Sequence, residues 1–116
     1  MAQIISGKVK PGKRKGRTLG FPTANIKIPE NIKAESGVYA GWVEIDSQKY
    51  PAGVFVSLDG KSLEAHILNF SKDLYGKNIV VVLGGKIRDV MKFASDEDLK
   101  KQVVNDLRIL NDLLLK

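Results

Sequence analysis

Thr23 and Asn25 close the stretch Gly16-Arg17-Thr18-Leu19-Gly20-Phe21-Pro22-Thr23-Ala24-Asn25. A hydroxyl and an amide two residues apart on an extended chain project to the same side. Pro22 fixes its own φ and biases Phe21 towards extended geometry, so the segment after Gly20 reads as strand. Ahead of it lies a glycine-punctuated loop carrying Lys13, Arg14 and Lys15, and six of the nineteen basic residues fall between Lys8 and Arg17 with no acid among them. Backbone N–H groups and cationic side chains suit a phosphate chain, and neutral hard oxygens suit a divalent cation carried on it. The pattern is neither a Walker A loop nor the Gly-x-Gly-x-x-Gly of dinucleotide sites. The same residues also fit a basic surface loop leading into a buried Phe-Pro turn, and on chemistry alone the two readings stand level.

The elements that must position these groups belong to one domain, residues 1–116, long enough for a real core but not for two. The absence of cysteine excludes disulfides, thiolate metal sites and a cysteine nucleophile. No apolar run approaches a membrane span, and Met1-Ala2-Gln3-Ile4-Ile5-Ser6 lacks the features of a signal peptide, so a soluble cytoplasmic protein without membrane contact is expected. A net charge of +6 fits nucleic acid, an anionic surface or a phosphorylated ligand; its concentration beside Gly16–Asn25 aims it at one loop.

Along the chain, Gln3 to Val9 reads as a strand ending at Lys10-Pro11-Gly12, and a second strand holds Thr23 and Asn25 with Ile26 and Ile28. Val38 to Asp46 is a strand with Tyr39, Val43 and Ile45 on one face and Val38, Ala40 and Trp42 on the other. Asp46-Ser47-Gln48 turns it back into Lys49 to Leu58. Asp59-Gly60 predicts a two-residue hairpin of the kind that needs positive φ, leading into Ser62 to Leu68, where Glu64 and His66 share the more polar face. After a loop over residues 69–77, Ile79 to Leu83 is a β-branched strand, and Gly84-Gly85 predicts a bulge or sharp bend before Lys86-Ile87-Arg88. Ser95 is the expected N-cap of a helix with Asp96, Glu97 and Asp98 in its first turn. Leu99, Val103, Leu107, Leu110 and Leu114 give that helix one apolar stripe to bury on the sheet, while Lys100, Lys101 and Arg108 face out. The expected architecture is mainly β: a small antiparallel Greek-key barrel of about six strands with a C-terminal α-helix.

Gly16 to Asn25 closely resembles the signature of the riboflavin kinase (flavokinase) family, and the resemblance runs through nearly the whole chain. Gly37-Val38-Tyr39-Ala40-Gly41, Leu63-Glu64-Ala65-His66, Asp73-Leu74-Tyr75-Gly76-Lys77 and Lys86-Ile87-Arg88 with Lys92-Phe93 follow in the family's order. The family has a Greek-key barrel with a terminal helix, and the resemblance implies phosphate transfer from ATP to the 5′-hydroxyl of riboflavin, giving FMN. It assigns nucleotide binding to Gly12, Lys15, Gly16, Arg17, Gly20, Thr23, Asn25 and Tyr75, the last lining the adenine pocket. By the same match Thr23 and Asn25 hold Mg²⁺, with Mn²⁺ or Zn²⁺ as alternatives, and Glu64 is the catalytic carboxylate. Arg88, Met91 and Phe93 fall on the flavin side. Two neutral ligands hold Mg²⁺ poorly alone, so the ion is expected to arrive with the nucleotide. The lone histidine, His66, is assigned no chemical role.

Two departures from the family pattern stand out. A tight turn at Leu58–Lys61 replaces a longer Asn-Ile-Gly-containing segment, and Val90 stands where a family acid follows the arginine. Bacterial relatives often carry an adenylyltransferase domain ahead of the kinase, and 116 residues leave no room for one, so a stand-alone, monomeric kinase is expected. The competing classes are a small basic barrel that binds single-stranded nucleic acid and a non-catalytic flavin or nucleotide sensor. Few aromatics and a charge focused on one loop speak against the first, so no nucleic-acid partner is expected; intact Thr23, Asn25 and Glu64 speak against the second.

Overall fold

Alternation of inward apolar and outward polar side chains builds six strands, most plainly in Ser62–Ile67, where Leu63, Ala65 and Ile67 are buried and the residues between them are not. A computed structural model describes residues 3–10, 23–70 and 72–114. Gly12, Lys15, Gly16, Arg17 and Gly20 lie outside these residues. The elements are β1 (Gln3–Lys8), β2 (Ala24–Lys27), β3 (Gly37–Ile45), β4 (Gln48–Val56), β5 (Ser62–Ile67), β6 (Asn78–Arg88) and α1 (Asp96–Leu114). All neighbouring strands are antiparallel, in the order β1-β6-β3-β4-β5-β2. The two edges meet where Lys10 bridges Asn25, its N–H donating to the Asn25 carbonyl at 2.8 Å, so the sheet is a nearly closed barrel. Ile5, Ile26, Val43, Val54, Leu63, Ile79 and Val81 fill the interior.

Turn chemistry differs from expectation in one hairpin. Asp59-Gly60 is not a two-residue loop: β4 and β5 are joined through residues 57–61, and of the pair only Gly60 has positive φ, at 69°. Side chains set this longer turn. The Ser57 hydroxyl donates to Asp59 Oδ1 at 2.6 Å, the Lys61 N–H donates to the same oxygen at 2.9 Å, and the Ser62 N–H donates to Ser57 Oγ at 3.2 Å. The two bonds to Oδ1 hold the Asp59 carboxyl below its ordinary range, the one from Ser57 most. The two-residue turn is instead Asp46-Ser47, with φ of 51° and 70°, closed by the pair Ile45 and Gln48. An ion pair from Lys77 to Asp46 steadies it.

Beyond Leu83, β6 does not stop at the glycines; it runs on to Arg88 through two irregularities. Gly41 faces Leu83, Tyr39 faces Lys86 and Val38 faces Arg88, so one extra residue enters β6 in each interval. A Cβ on Gly84 would lie 2.6 Å from the Ala40 carbonyl oxygen, and only glycine fits that approach. The bulge expected at Gly84-Gly85 is present.

Ser95 caps α1, its hydroxyl accepting the Asp98 N–H at 3.1 Å. The helix lies on the outer face of β3 and β4, where Leu110 sits over Gly53; a Cβ there would meet Leu110 Cδ1 at 2.5 Å. The expected burial of the whole stripe is only partly met. Leu110 is 2% exposed, but Leu99, Val103, Leu107 and Leu114 are half-buried, because an open cleft separates much of the helix from the sheet.

Candidate active site

Strand register alone assembles the site. Arg88 pairs with Val38, Val38 with Phe55, Phe55 with Glu64, and Glu64 with Asn25. Paired residues share a face, so these five side chains form one row across β6, β3, β4, β5 and β2 on the outside of the barrel. At about 4.8 Å per strand the row is long enough for an extended small molecule. Over it stands a cleft of about 370 Å³, roofed by Leu99, Val103 and Leu107 of α1 and walled by Met91 and Phe93. Its lining is mainly apolar, with the Arg88–Asp106 pair at one end and Glu64 at the other.

The polar end brings the expected catalytic and metal residues together. Glu64 lines the cleft, half-buried on rigid β5, and accepts a long hydrogen bond of 3.5 Å at Oε1 from Asn25 Nδ2. That bond turns the amide so that its Oδ1 is left for another partner. Thr23 lines the same cleft and also a second hollow of about 50 Å³, formed with Val9, Phe70, Leu74 and Tyr75. Tyr75 is set by an Asx turn, its N–H donating to Asp73 Oδ1 at 2.9 Å. The structure thus groups Thr23, Glu64, Arg88, Met91 and Phe93 in one cleft, places Asn25 beside Glu64, and puts Tyr75 in a neighbouring hollow joined through Thr23. His66 also faces the cleft.

Hydroxyl and amide oxygens without charge fit a Mg²⁺ whose remaining ligands are phosphate and water, and fit poorly a softer metal that prefers nitrogen or sulfur. Val90 contributes apolar wall where the family pattern has an acid, and the short turn of residues 57–61 does not reach the cleft.

At the opposite end two interactions fix the last residues of β6. Lys86 pairs with Asp89 at 2.6 Å and with Glu35 at 2.7 Å; these bonds, Asp89 first, hold its amine well above the ordinary lysine range. Arg88 pairs with Asp106 of α1, a residue the sequence reading passed over. A signal was there: Asp106 lies three residues after Val103 and four before Leu110, a lone acid on the apolar stripe.

A nearly closed antiparallel barrel that carries its cleft on the outside, under a single helix, with a carboxylate and two neutral oxygen donors at one end, defines a flavokinase-type domain. The chain belongs to the riboflavin kinase family: the family's Flavokinase model matches residues 2–114. It is 39% identical over 114 residues to the bifunctional riboflavin kinase/FMN adenylyltransferase of Escherichia coli (strain K12), covering 88% of this chain and 35% of that protein. The counterpart in Haemophilus influenzae (strain ATCC 51907 / DSM 11121 / KW20 / Rd) is 38% identical over 110 residues, covering 89% of this chain and 36% of that protein. The chain thus spans about a third of the length of the curated relatives it matches. Among solved structures, riboflavin kinase from Trypanosoma brucei superposes with a TM-score of 0.76 at 25% identity, over 99% of this chain and 78% of that one. A macrolide-efflux protein from Streptococcus pneumoniae superposes with a TM-score of 0.82 at 35% identity, over 93% of this chain and 38% of that one. Among the described residues no helix is long and apolar enough to cross a membrane.

Proposed function

We propose that the chain transfers the γ-phosphate of ATP to the 5′-hydroxyl of riboflavin, giving FMN and ADP. The observation that carries this reading is the row from Arg88 through Val38 and Phe55 to Glu64 and Asn25, which joins a ring-sized apolar cleft to a proton acceptor and two oxygen donors. The flavin ring lies at the Arg88 end between Phe93, Met91 and the helix roof, and the ribityl chain runs towards Glu64. There the carboxylate accepts the hydroxyl proton as the oxygen forms its bond to the γ-phosphorus and the bond to the β,γ-bridging oxygen breaks, releasing ADP. Thr23 and Asn25 would hold a divalent cation, Mg²⁺ as first choice, which neutralises phosphate charge when bound. The hollow beside Tyr75 receives the adenine, and Gly12, Lys15, Gly16, Arg17 and Gly20 supply the phosphate contacts.

Chromatography of the products from riboflavin and Mg-ATP tests the reading directly. FMN without FAD is expected from these 116 residues; no turnover by folded protein would sink it. In the same assay Thr23→Ala and Asn25→Ala should each raise the Mg²⁺ concentration for half-maximal rate on the order of tenfold, the worth of one modest polar interaction. Their melting temperatures should stay near that of the parent. Unchanged metal dependence in both would make the motif structural.

The nucleic-acid reading separates by titration. Oligonucleotide affinity should be no tighter than about 10⁻⁶ M at physiological salt and should fall steeply as salt rises, as for any polycation. Tight binding that survives salt, with no flavin turnover, would favour that alternative.

A further inference from the structure

One buried charge plays no part in the proton transfer. Asp106, 6% exposed, is the only buried polar or charged residue among the described residues, and it lies on the apolar stripe of α1 against the cleft. Its carboxylate accepts Arg88 Nε at 3.0 and 3.2 Å, Arg88 Nη2 at 2.9 Å and Gln102 Nε2 at 3.0 Å. Arg88 Nη1 donates to the Asp89 carbonyl at 3.0 Å. Three of the five guanidinium N–H groups are therefore taken by the protein, leaving two for a ligand.

We infer that Asp106 is a positioning residue for the flavin, acting through Arg88; the inference rests on the riboflavin reading above. A long arginine side chain on a strand end has many rotamers, and freezing it when a ligand arrives weakens binding. Side-on bidentate pairing selects one rotamer beforehand and aims the two remaining N–H groups at the ring end of the cleft. The pairing also cancels the charge of Arg88, so an otherwise apolar wall meets a neutral ring with hydrogen-bond donors but no net charge. Gln102 holds the carboxylate from the other side and fixes its plane. Fastening the helix would not require ions, since a well-packed apolar pair does so as well or better.

That last point supplies the test. Asp106→Asn keeps the size of the side chain but loosens the guanidinium. The riboflavin KM should rise about tenfold, while the KM for ATP stays within twofold and kcat falls by less than KM rises. The double variant Arg88→Met with Asp106→Leu should keep the helix docked, with a melting temperature near the parent's, yet leave the riboflavin KM raised at least as far. A double variant that recovers the parental riboflavin KM would overturn the inference, because the pair would then be only a helix clamp. So would an Asp106→Asn protein whose riboflavin KM is unchanged. Should that single variant fail to fold, the double variant decides alone. Riboflavin binding read by quenching of flavin fluorescence, without ATP, gives the same comparison independently of turnover. Failure of the parent chain to make FMN would count against the kinase reading; failure of the variants to differ in flavin binding would count against Asp106.

Discussion

Glu64→Gln lowers kcat by roughly 10²–10⁴, with the smaller end expected, because a loose phosphoryl-transfer transition state asks little of its base. The substitution keeps the size of the side chain and still offers Asn25 Nδ2 a carbonyl oxygen, so the amide orientation seen at 3.5 Å survives. What is lost is a group able to take the hydroxyl proton at neutral pH. KM values for riboflavin and ATP and the Mg²⁺ dependence should therefore stay close to the parent's, the pattern of an interaction used mainly in the transition state. Steady-state kinetics with both substrates varied is the measurement. A variant that keeps most of its turnover demotes Glu64 to an ordinary strand residue; one whose riboflavin affinity falls in proportion makes it a binding group.

Leu110→Ala costs the fold about 2–4 kcal/mol, a fall in melting temperature on the order of 10 °C. Leu110 is the one stripe residue of α1 that is fully buried, and beneath it Gly53 has no side chain to fill a gap. The lost methyl groups leave a hole between helix and barrel that neither surface can close. Because the same helix roofs the cleft, the riboflavin KM should rise together with the loss of stability, whereas the KM for ATP, set at the far end, should not. A melting curve that overlays the parent's would mean that α1 is held by something other than this contact.

Much of this was legible in the residues. Ser95 and the acids after it mark a helix start that the structure keeps to the residue, and β-branched alternation marks the strands because period-two burial is a local signal. Side-chain type in the stretch from Gly16 to Asn25 leaves a phosphate-binding loop and a basic surface loop level, and it is the riboflavin kinase resemblance drawn from it that agrees with the family match. Other features depend on what lies across the sheet. Asp59-Gly60 has the stronger hairpin composition, yet Asp46-Ser47 takes the two-residue turn, because Ser57 and Asp59 tie a longer loop with their own side chains. The continuation of β6 past Gly84-Gly85 follows from the close passage of Ala40, which no window on residues 79–88 contains. Asp106 was missed for a related reason. Apolar spacing directs attention to the leucines, and the acid among them acquires meaning only when Arg88 is brought opposite.

For the proposed kinase, the single row that runs from Arg88 to Asn25 ties enzymatic competence to folding fidelity. Each of its members sits on a different strand, so the four pairings that join β6, β3, β4, β5 and β2 must be in step before Arg88 and Glu64 line up. Sliding one strand by a single residue turns its core face to water and is self-defeating. Sliding by two keeps the interior filled yet displaces that strand's contribution by about 7 Å, enough to part Glu64 from Asn25. Such a barrel would have the right secondary structure and a respectable core and would be inert. Turnover per mole of refolded chain is therefore a gauge of strand alignment. By the same logic the bonds that lock Ser57 to Asp59 and Ser62, remote from any substrate, protect catalysis by forbidding the misaligned product.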